Sequence, residues 1–420
     1  MRILFVDEKD WAKKVPYTIH YLAEHLVKRG HQVWAIDFDD TWRRTHALDL
    51  YARGRQRQVA KIDPRAAVEL ISPGFVKLPA LSRISTLATH SWAIAGLLRR
   101  AKIDCIVTYS ITNAAATLAL AKLANVPVAF HSIDMLAPLV PHRALEWPAE
   151  LIERELIRRA DCVLALTPVF GERARMLGAR QVAIIPNGVN VDALRPGLDT
   201  EQLREELGLG NNKVVLFVGT ITKHVGLDLF LHHFARMPRD GVKLVIVGDD
   251  IVTGGRELRR AQAVCRELGI ADRVIFTGLQ PAERVPLYIN LADVCVSPFP
   301  PATFSRYNIT MKVFEYMACG KPTVMFNLAG TQSLVPPGSG GMVYVESYAQ
   351  MCAAIDRLLQ DAPERARLGA AGRALVVERF SWYHVTRNLE RVLLGLRAGR
   401  SGGRDARAIT QSSIDQEAVL

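Results

Sequence analysis

Hydrophobic positions along the chain recur in two forms. Short aliphatic or β-branched runs, such as Ile3-Leu4-Phe5-Val6 and Val214-Val215-Leu216-Phe217-Val218, alternate with longer stretches in which apolar residues repeat at helical spacing. That alternation predicts parallel sheets joined by crossover helices. In the first half it predicts strands at Ile3 to Val6, Gln32 to Ile36, Cys105 to Thr108, Val126 to Phe130, Cys162 to Ala165 and Val182 to Ile185. A helix from Tyr17 to Arg29 fills the first gap, and Gly30 stops it. Between Leu194 and Asn212 the pattern lapses into Pro196, Gly197, Gly208 and Gly210 around a short helix, which predicts a domain boundary. A second series follows, with strands at Val214 to Val218, Lys243 to Val247, Val274 to Thr277, Val294 to Ser297 and Pro322 to Phe326. Its helices are expected near Gly226 to Met237, Arg256 to Leu268, Ala282 to Leu291 and Met311 to Cys319.

The fold class is therefore α/β: two Rossmann-like, doubly wound parallel-sheet domains, with ligands expected in a cleft at the carboxyl ends of their strands. The expected division is residues 1–195, a connection at 196–212, residues 213–380, a C-terminal helix over 381–397 and a disordered Gly-, Arg- and Ser-rich tail over 398–420.

Composition changes this picture little. A chain of 420 residues, 49% hydrophobic and 23% charged, is long enough for two globular cores. The six cysteines form no CxxC pair, so they read as reduced core thiols rather than zinc ligands or a disulfide framework. The opening apolar run is too short for a signal-peptide core, and the best long apolar stretch, Ala114 to Phe130, is broken by Lys122, Asn125 and Pro127. A cytoplasmic protein, peripheral at most to the inner face of a membrane, is expected.

Charge adds more. The net charge is +11, and between Arg43 and Arg65 seven basic residues stand against Asp49 and Asp63. This patch is either a solvated surface or a meeting place for anionic lipid or a phosphate-bearing acceptor. The helical stretch Ser82 to Lys102 leaves a similar choice. Leu87, Trp92, Ile94, Leu97 and Leu98, beside Arg83, Arg99, Arg100 and Lys102, suit either a membrane surface or the protein's own sheet. Nucleic acid is set aside, because no aromatic residues are interleaved with the basic ones and no nucleic-acid module is present.

The most specific stretch is Met311-Lys312-Val313-Phe314-Glu315-Tyr316-Met317-Ala318-Cys319-Gly320-Lys321-Pro322. A helix opening near Met311 points free N–H groups and its positive dipole end at whatever precedes it, which suits a diphosphate. Lys312 lies in that first turn and Glu315 one turn on, where its carboxylate can accept hydrogen bonds from vicinal hydroxyls; the plainer reading of Glu315 is dipole compensation. The stretch resembles the donor-site helix of retaining, family-4-type (group 1) glycosyltransferases of GT-B fold. Four further pieces follow the family's order: Arg29-Gly30-His31-Gln32-Val33, Ile185-Pro186-Asn187-Gly188-Val189, Phe217-Val218-Gly219, and Phe276-Thr277-Gly278 with Ala292-Asp293 downstream.

The resemblance implies transfer of a sugar from a nucleotide-diphosphate-sugar to a glycan or lipid-linked acceptor, with retention of configuration, in the making of glycans such as those of the cell envelope. It implies no metal and no other cofactor. Asp37-Phe38-Asp39 has the look of a metal-binding DxD, but at the end of a second strand such a carboxylate more often caps or binds a ribose. The implied donor-binding residues are Gly219, Thr220, Lys223, Gly278, Arg306, Asn308, Lys312 and Glu315. His131, at a strand end, is the implied acceptor-side catalytic residue, with Lys223 and Glu315 completing the catalytic set. Asp134 would orient His131, and Lys13 and Lys14 would meet a phosphate on the acceptor side.

The chain departs from the family in three places. Thr220 and Val225 stand where an Arg and a Lys usually form the phosphate clamp, and Lys223 and His224 are the nearby substitutes. Tyr307 stands where the first Glu of the Glu-x7-Glu pattern would be. Glu8, Lys9 and Asp10 replace the glycine-rich loop after the first strand. Two alternatives stay open: a non-catalytic nucleotide-sugar-binding or scaffolding relative, and a nucleotide-sugar epimerase on the same fold. A dinucleotide oxidoreductase lacks its G-x-G-x-x-G here.

Overall fold

The computed structural model describes residues 1–39, 50–78, 81–109, 112–133, 146–238, 241–302, 306–307 and 309–400. The chain forms two compact units, Gly188–Ser381 and a first unit made of Met1–Asn187 with the segment from Trp382 onward.

The first unit is built on an eight-stranded sheet. Its strands run, edge to edge, Val182–Ile184, Cys162–Ala165, Val128–Ser132, Cys105–Thr108, Arg2–Val6, Gln32–Ile36, Val68–Ser72 and Arg55–Val59. All neighbours are parallel except the last pair. Continuous apolar strands suit a sheet covered on both faces, and every residue of the strands at 105, 128 and 162 is buried. Leu4, Val6, Ile106 and Val128 meet Ile94 and Leu97 of the helix Leu81–Arg100 in one core. The strand Arg55–Val59, of sequence RQRQV, carries no apolar alternation and lies exposed on the edge, which is why hydrophobic pattern alone does not reveal it. The short pair Tyr51–Ala52 and Phe75–Val76 is antiparallel.

The second unit holds six parallel strands in the order Val274–Gly278, Val242–Val247, Lys213–Val218, Val294–Ser297, Thr323–Phe326 and Met342–Val345. Its helices show their start signals in the sequence. Ser347 caps the helix Tyr348–Gln360 by accepting from the Gln350 N–H at 3.2 Å, and Asp361 caps Ala362–Leu375 through the Glu364 N–H at 2.9 Å.

The boundary falls between Asn187 and Gly188, not in the expected connection at 196–212. The stretch that reads as a linker is part of the second unit's packing. The Val189 N–H donates to the Phe380 carbonyl at 2.9 Å, and Leu203 and Leu209 are buried in the second core. Arg373 donates to the carbonyls of Val191, Leu194 and Ala318 at 2.8–3.0 Å, so one guanidinium ties three segments together.

The C-terminal helix runs Trp382–Arg400, slightly beyond the expected 397, and belongs to the first unit. Trp382 stacks on Tyr21 with ring centroids 4.6 Å apart. Glu390 binds Arg29 Nε at 2.7 Å and His31 Nε2 at 2.6 Å, and Arg400 reaches Asp161 at 2.7 Å. The Arg29-Gly30-His31 motif is thus a dock for this helix, with Gly30 supplying the left-handed turn at φ 85°. The rest of the expected tail, 401–420, lies outside the described residues. All six cysteines are buried and unbridged.

Candidate active site

In the second unit the carboxyl ends of three adjacent strands each end on a glycine. Gly219 donates to the Val247 carbonyl and Gly248 to the Gly278 carbonyl, both at 2.9 Å. Gly248 sits at φ +138°, and a Cβ there would lie 2.0 Å from the Gly219 carbonyl oxygen. Only glycine allows this approach. The result is a floor of bare backbone at the sheet's carboxyl edge, where α/β folds bind ligands.

The helix Met311–Ala318 is joined by Tyr316 to the end of the strand Lys213–Val218. Strand Val294–Ser297 pairs with Lys213–Val218 only at Val215 and Leu216, leaving Val218 without a strand partner on that side. Tyr316, 1% exposed, fills the gap: its hydroxyl accepts from the Val218 N–H at 2.8 Å and donates to the Val218 carbonyl at 3.3 Å. Across the helix, Phe314 stacks on Phe380 with centroids 4.5 Å apart. The helix is therefore fixed from both sides, with Tyr316 tying it to the strand that ends at Gly219.

That first turn contains no acidic residue. Lys312 instead reaches forward one turn and binds both carboxylate oxygens of Glu315, at 3.0 and 2.8 Å. Glu315 is half-buried, so the pair is an ammonium and a carboxylate at the start of the helix, each with bonding capacity left for a ligand. The Oγ1 of Thr310, the residue before the helix, is buried with no partner among the described residues.

Of the other expected donor residues, Thr220 and Lys223 are exposed on the loop after Gly219, where Lys223 begins a short 3₁₀ turn ending at Gly226. Lys223 makes no ion pair among the described residues. Val225 is fully buried, so the position of the family's clamp lysine faces the core here and carries no cation. Arg306 is exposed and borders a pocket of about 670 Å³ shared with Tyr307, Asn327 and Gln332. Asn308 lies outside the described residues.

In the first unit the expected acceptor-side residues separate. His131 is 2% exposed on the strand Val128–Ser132, with Nδ1 2.6 Å from the Tyr109 hydroxyl. Burial pushes its pKa down to about 4, so the ring is neutral at pH 7. Tyr109, whose own pKa burial pushes up, then donates its hydroxyl proton to Nδ1, and the ring proton sits on Nε2. His131 is thus a neutral buried ring rather than a free base, with a hydrogen bond to the Ile185 backbone opposing the effect of burial. Next to it in the strand, the Ser132 hydroxyl is buried with no partner among the described residues. Asp134, expected to orient His131, lies outside the described residues.

Lys13 is committed to carboxylates, 2.7 Å from Asp39 and 3.1 Å from Asp10, and Lys14 gives its carbonyl to Lys61 Nζ at 2.7 Å. Asp37 turns inward, 2% exposed, and accepts from the Trp11 N–H at 2.9 Å. Asp37 and Asp39 thus serve different partners, and among the described residues no three His, Cys, Asp or Glu side chains converge on a metal position. Burial raises Asp37 to about 7 and Asp7, bonded to Tyr17, to about 6. The sequence signalled neither Tyr316 nor Tyr109 as a site residue; a tyrosine at the core-facing position of a helix, and one directly after a strand, were the available cues.

Comparison with known proteins follows the same division of the chain. Residues 15–188 match the glycosyl transferase 4-like domain, and residues 199–375 match the glycosyl transferases group 1 family. Among curated relatives, the chain is 33% identical over 261 residues to a D-inositol 3-phosphate glycosyltransferase of Segniliparus rotundus, covering 60% of this chain and 55% of the relative. It is 29% identical over 222 residues to a GDP-mannose-dependent alpha-(1-6)-phosphatidylinositol monomannoside mannosyltransferase of Mycolicibacterium smegmatis, covering 51% of this chain and 57% of the relative. The matches thus span little more than half the length of these relatives. Among solved structures, Anabaena Alr3699/HepE in complex with UDP superposes with a TM-score of 0.72 at 20% identity, over 94% of this chain and 99% of that one. A sucrose-phosphate synthase of Thermosynechococcus elongatus gives the same TM-score at 22% identity, over 95% and 99%. At these identities the two structures establish the fold, GT-B.

Proposed function

The chain belongs to the group 1, family-4-like glycosyltransferases, and on that footing we propose that it moves a sugar from a nucleotide-diphosphate-sugar to a glycan or lipid-linked acceptor, with retention of configuration and without a metal. The observation that carries this reading is the glycine floor of Gly219, Gly248 and Gly278 together with the paired Lys312 and Glu315. A diphosphate against the floor would take backbone N–H groups and the Lys312 ammonium, while vicinal ribose hydroxyls would donate to Glu315. As the bond from the anomeric carbon to the diphosphate breaks, negative charge grows on the leaving oxygen. Lys312, Lys223 and Arg306 are the cations near enough in the chain to meet it, in place of the Arg and Lys lost at Thr220 and Val225. The acceptor oxygen forms the new bond on the same face, and its proton leaves with the diphosphate. In this reading His131 keeps the acceptor-side place that the resemblance gives it, as a neutral ring held by Tyr109.

Relatives named for GDP-mannose and a neighbour solved with UDP make GDP-mannose and UDP-glucose the first donors to try. The test is a thermal-shift and calorimetric screen of nucleotide sugars against the protein and Glu315→Ala, since a ligand of the folded state raises its melting temperature. Stabilisation by one nucleotide family, weakened about tenfold or more in the variant, supports the reading; equal affinity in a folded variant removes Glu315 from the site. A second reading, a donor-binding relative without catalysis, draws on the burial of Val225 where a clamp lysine would stand. Donor binding without release of nucleoside diphosphate, across a panel of glycan and lipid-linked acceptors, would favour it.

A further inference from the structure

The helix Leu81–Arg100 contains no acidic residue, and it is apolar on two opposite faces. Thr86, His90, Ile94 and Leu97 face the sheet and are buried. Leu81, Ile84, Ala88 and Trp92, spaced by three and four residues, form a second stripe on the solvent side. Ile84 is 62% and Trp92 79% exposed. Of the residues the sequence pattern grouped into one stripe, Ile94 and Leu97 therefore belong to the core, and only Leu87 and Trp92 reach water as exposed positions.

The neighbouring helices extend this face. Ala114–Leu123 packs against Leu81–Arg100, and Glu146–Arg159 packs against Ala114–Leu123. All three lie on crossovers leading toward the same edge of a parallel sheet, and right-handed connections put such helices in one layer. Trp147, Leu151 and Ile152 are exposed on the third helix. Between the second and third helices an aliphatic groove of about 660 Å³ is open to solvent, lined by Lys122, Arg180 and Arg400 and by the paired Glu155 and Arg159.

Charge identifies the occupant. Arg100 and Lys102 at the end of the first helix, and Lys122 and Arg180 at the groove, have no acidic partner among the described residues. Exposed tryptophan and isoleucine among unpaired cations match an anionic bilayer surface, where apolar side chains enter the acyl boundary and basic ones meet headgroup phosphates. No described helix is long and apolar enough to cross a membrane. We propose that this helical layer of the first unit docks on anionic membrane surfaces, with Ile84 and Trp92 inserted at the lipid boundary. The proposal rests on the first unit alone and stands or falls independently of the donor reading.

The test is co-sedimentation of the full chain with vesicles of phosphatidylglycerol and phosphatidylcholine, against phosphatidylcholine alone, at low and physiological salt. Binding to the anionic vesicles only, weakened by salt, is expected. Ile84→Glu with Trp92→Glu should lower vesicle affinity about tenfold or more while thermal stability and nucleotide-sugar affinity stay unchanged. Tryptophan emission should shift to the blue on vesicle binding, and Trp92→Phe should remove most of that shift. The proposal is overturned by no sedimentation at low salt, by equal binding of the double variant, or by a blue shift that survives Trp92→Phe. It is equally overturned if light scattering shows the stripe holding two copies of the chain together in the absence of vesicle binding.

Discussion

Tyr316→Phe removes one oxygen atom and almost no volume, so its effect isolates the bond between the helix Met311–Ala318 and the end of strand Lys213–Val218. In the native protein the hydroxyl both accepts from and donates to Val218, at 2.8 and 3.3 Å. Val218 is 5% exposed and its strand neighbour has already diverged, so the variant leaves a buried N–H and a buried carbonyl without their partner. An unmade buried hydrogen bond costs about 1–3 kcal/mol, which sets the expected destabilisation near 2 kcal/mol. For a unit of this size that lowers the melting temperature by roughly 4–8 °C. The same bond ties the helix that carries Lys312 and Glu315 to the strand that ends at Gly219, so donor affinity should also fall, by about tenfold if one charge-assisted contact is lost. Thermal unfolding and calorimetric titration of the nucleotide sugar, on the same preparations, read the two effects separately. A variant with native melting temperature and native donor affinity would refute the reasoning, because the tyrosine would then be only a core ring.

Other perturbations address other parts of the molecule. Gly248→Ala places a Cβ 2.0 Å from the Gly219 carbonyl oxygen at a φ that disfavours side chains, so it should abolish donor binding and destabilise the second unit by about 3 kcal/mol or more; urea titration checks it. Asp37 has a folded pKa raised by burial to about 7, above its unfolded value, so the native state loses stability as pH rises from about 4 to about 7. Asp37→Asn should flatten that part of the melting-temperature profile and raise stability at pH 8, leaving the smaller share from Asp7; parallel profiles for the two proteins would contradict this. If transfer needs no metal, turnover measured with excess EDTA should equal turnover with added magnesium or manganese.

How much of this was legible in the sequence follows from what kind of signal each feature leaves. The parallel strands at Ile3, Cys105, Cys162, Val214 and Val294 are continuous apolar runs, and buried strands of that kind announce themselves. Arg55–Val59 is an exposed edge strand whose partner supplies the pairing, so nothing in its own residues marks it. Glu315 and Lys312 were visible because their motif is specific, yet the motif did not reveal that they bind each other. His131 was picked for its place at a strand end; its tautomer depends on Tyr109, distant in sequence, and only the fold brings the two together. The boundary was misplaced because Pro196, Gly197, Gly208 and Gly210 mark turns, and turns occur within a unit as readily as between units.

The return of Trp382–Arg400 to the first unit has a consequence for synthesis. Domains tend to fold in the order in which the ribosome releases them. Here the unit begun first is finished last, since its final helix emerges only after the whole of Gly188–Ser381. Until then Tyr21, Arg29 and His31 wait without Trp382 and Glu390, an open apolar and charged seam on a nascent chain. A chain stopped at Ser381 would carry that seam permanently, so a truncation designed to trim a dispensable end would expose it to chaperones, proteases and other copies of itself.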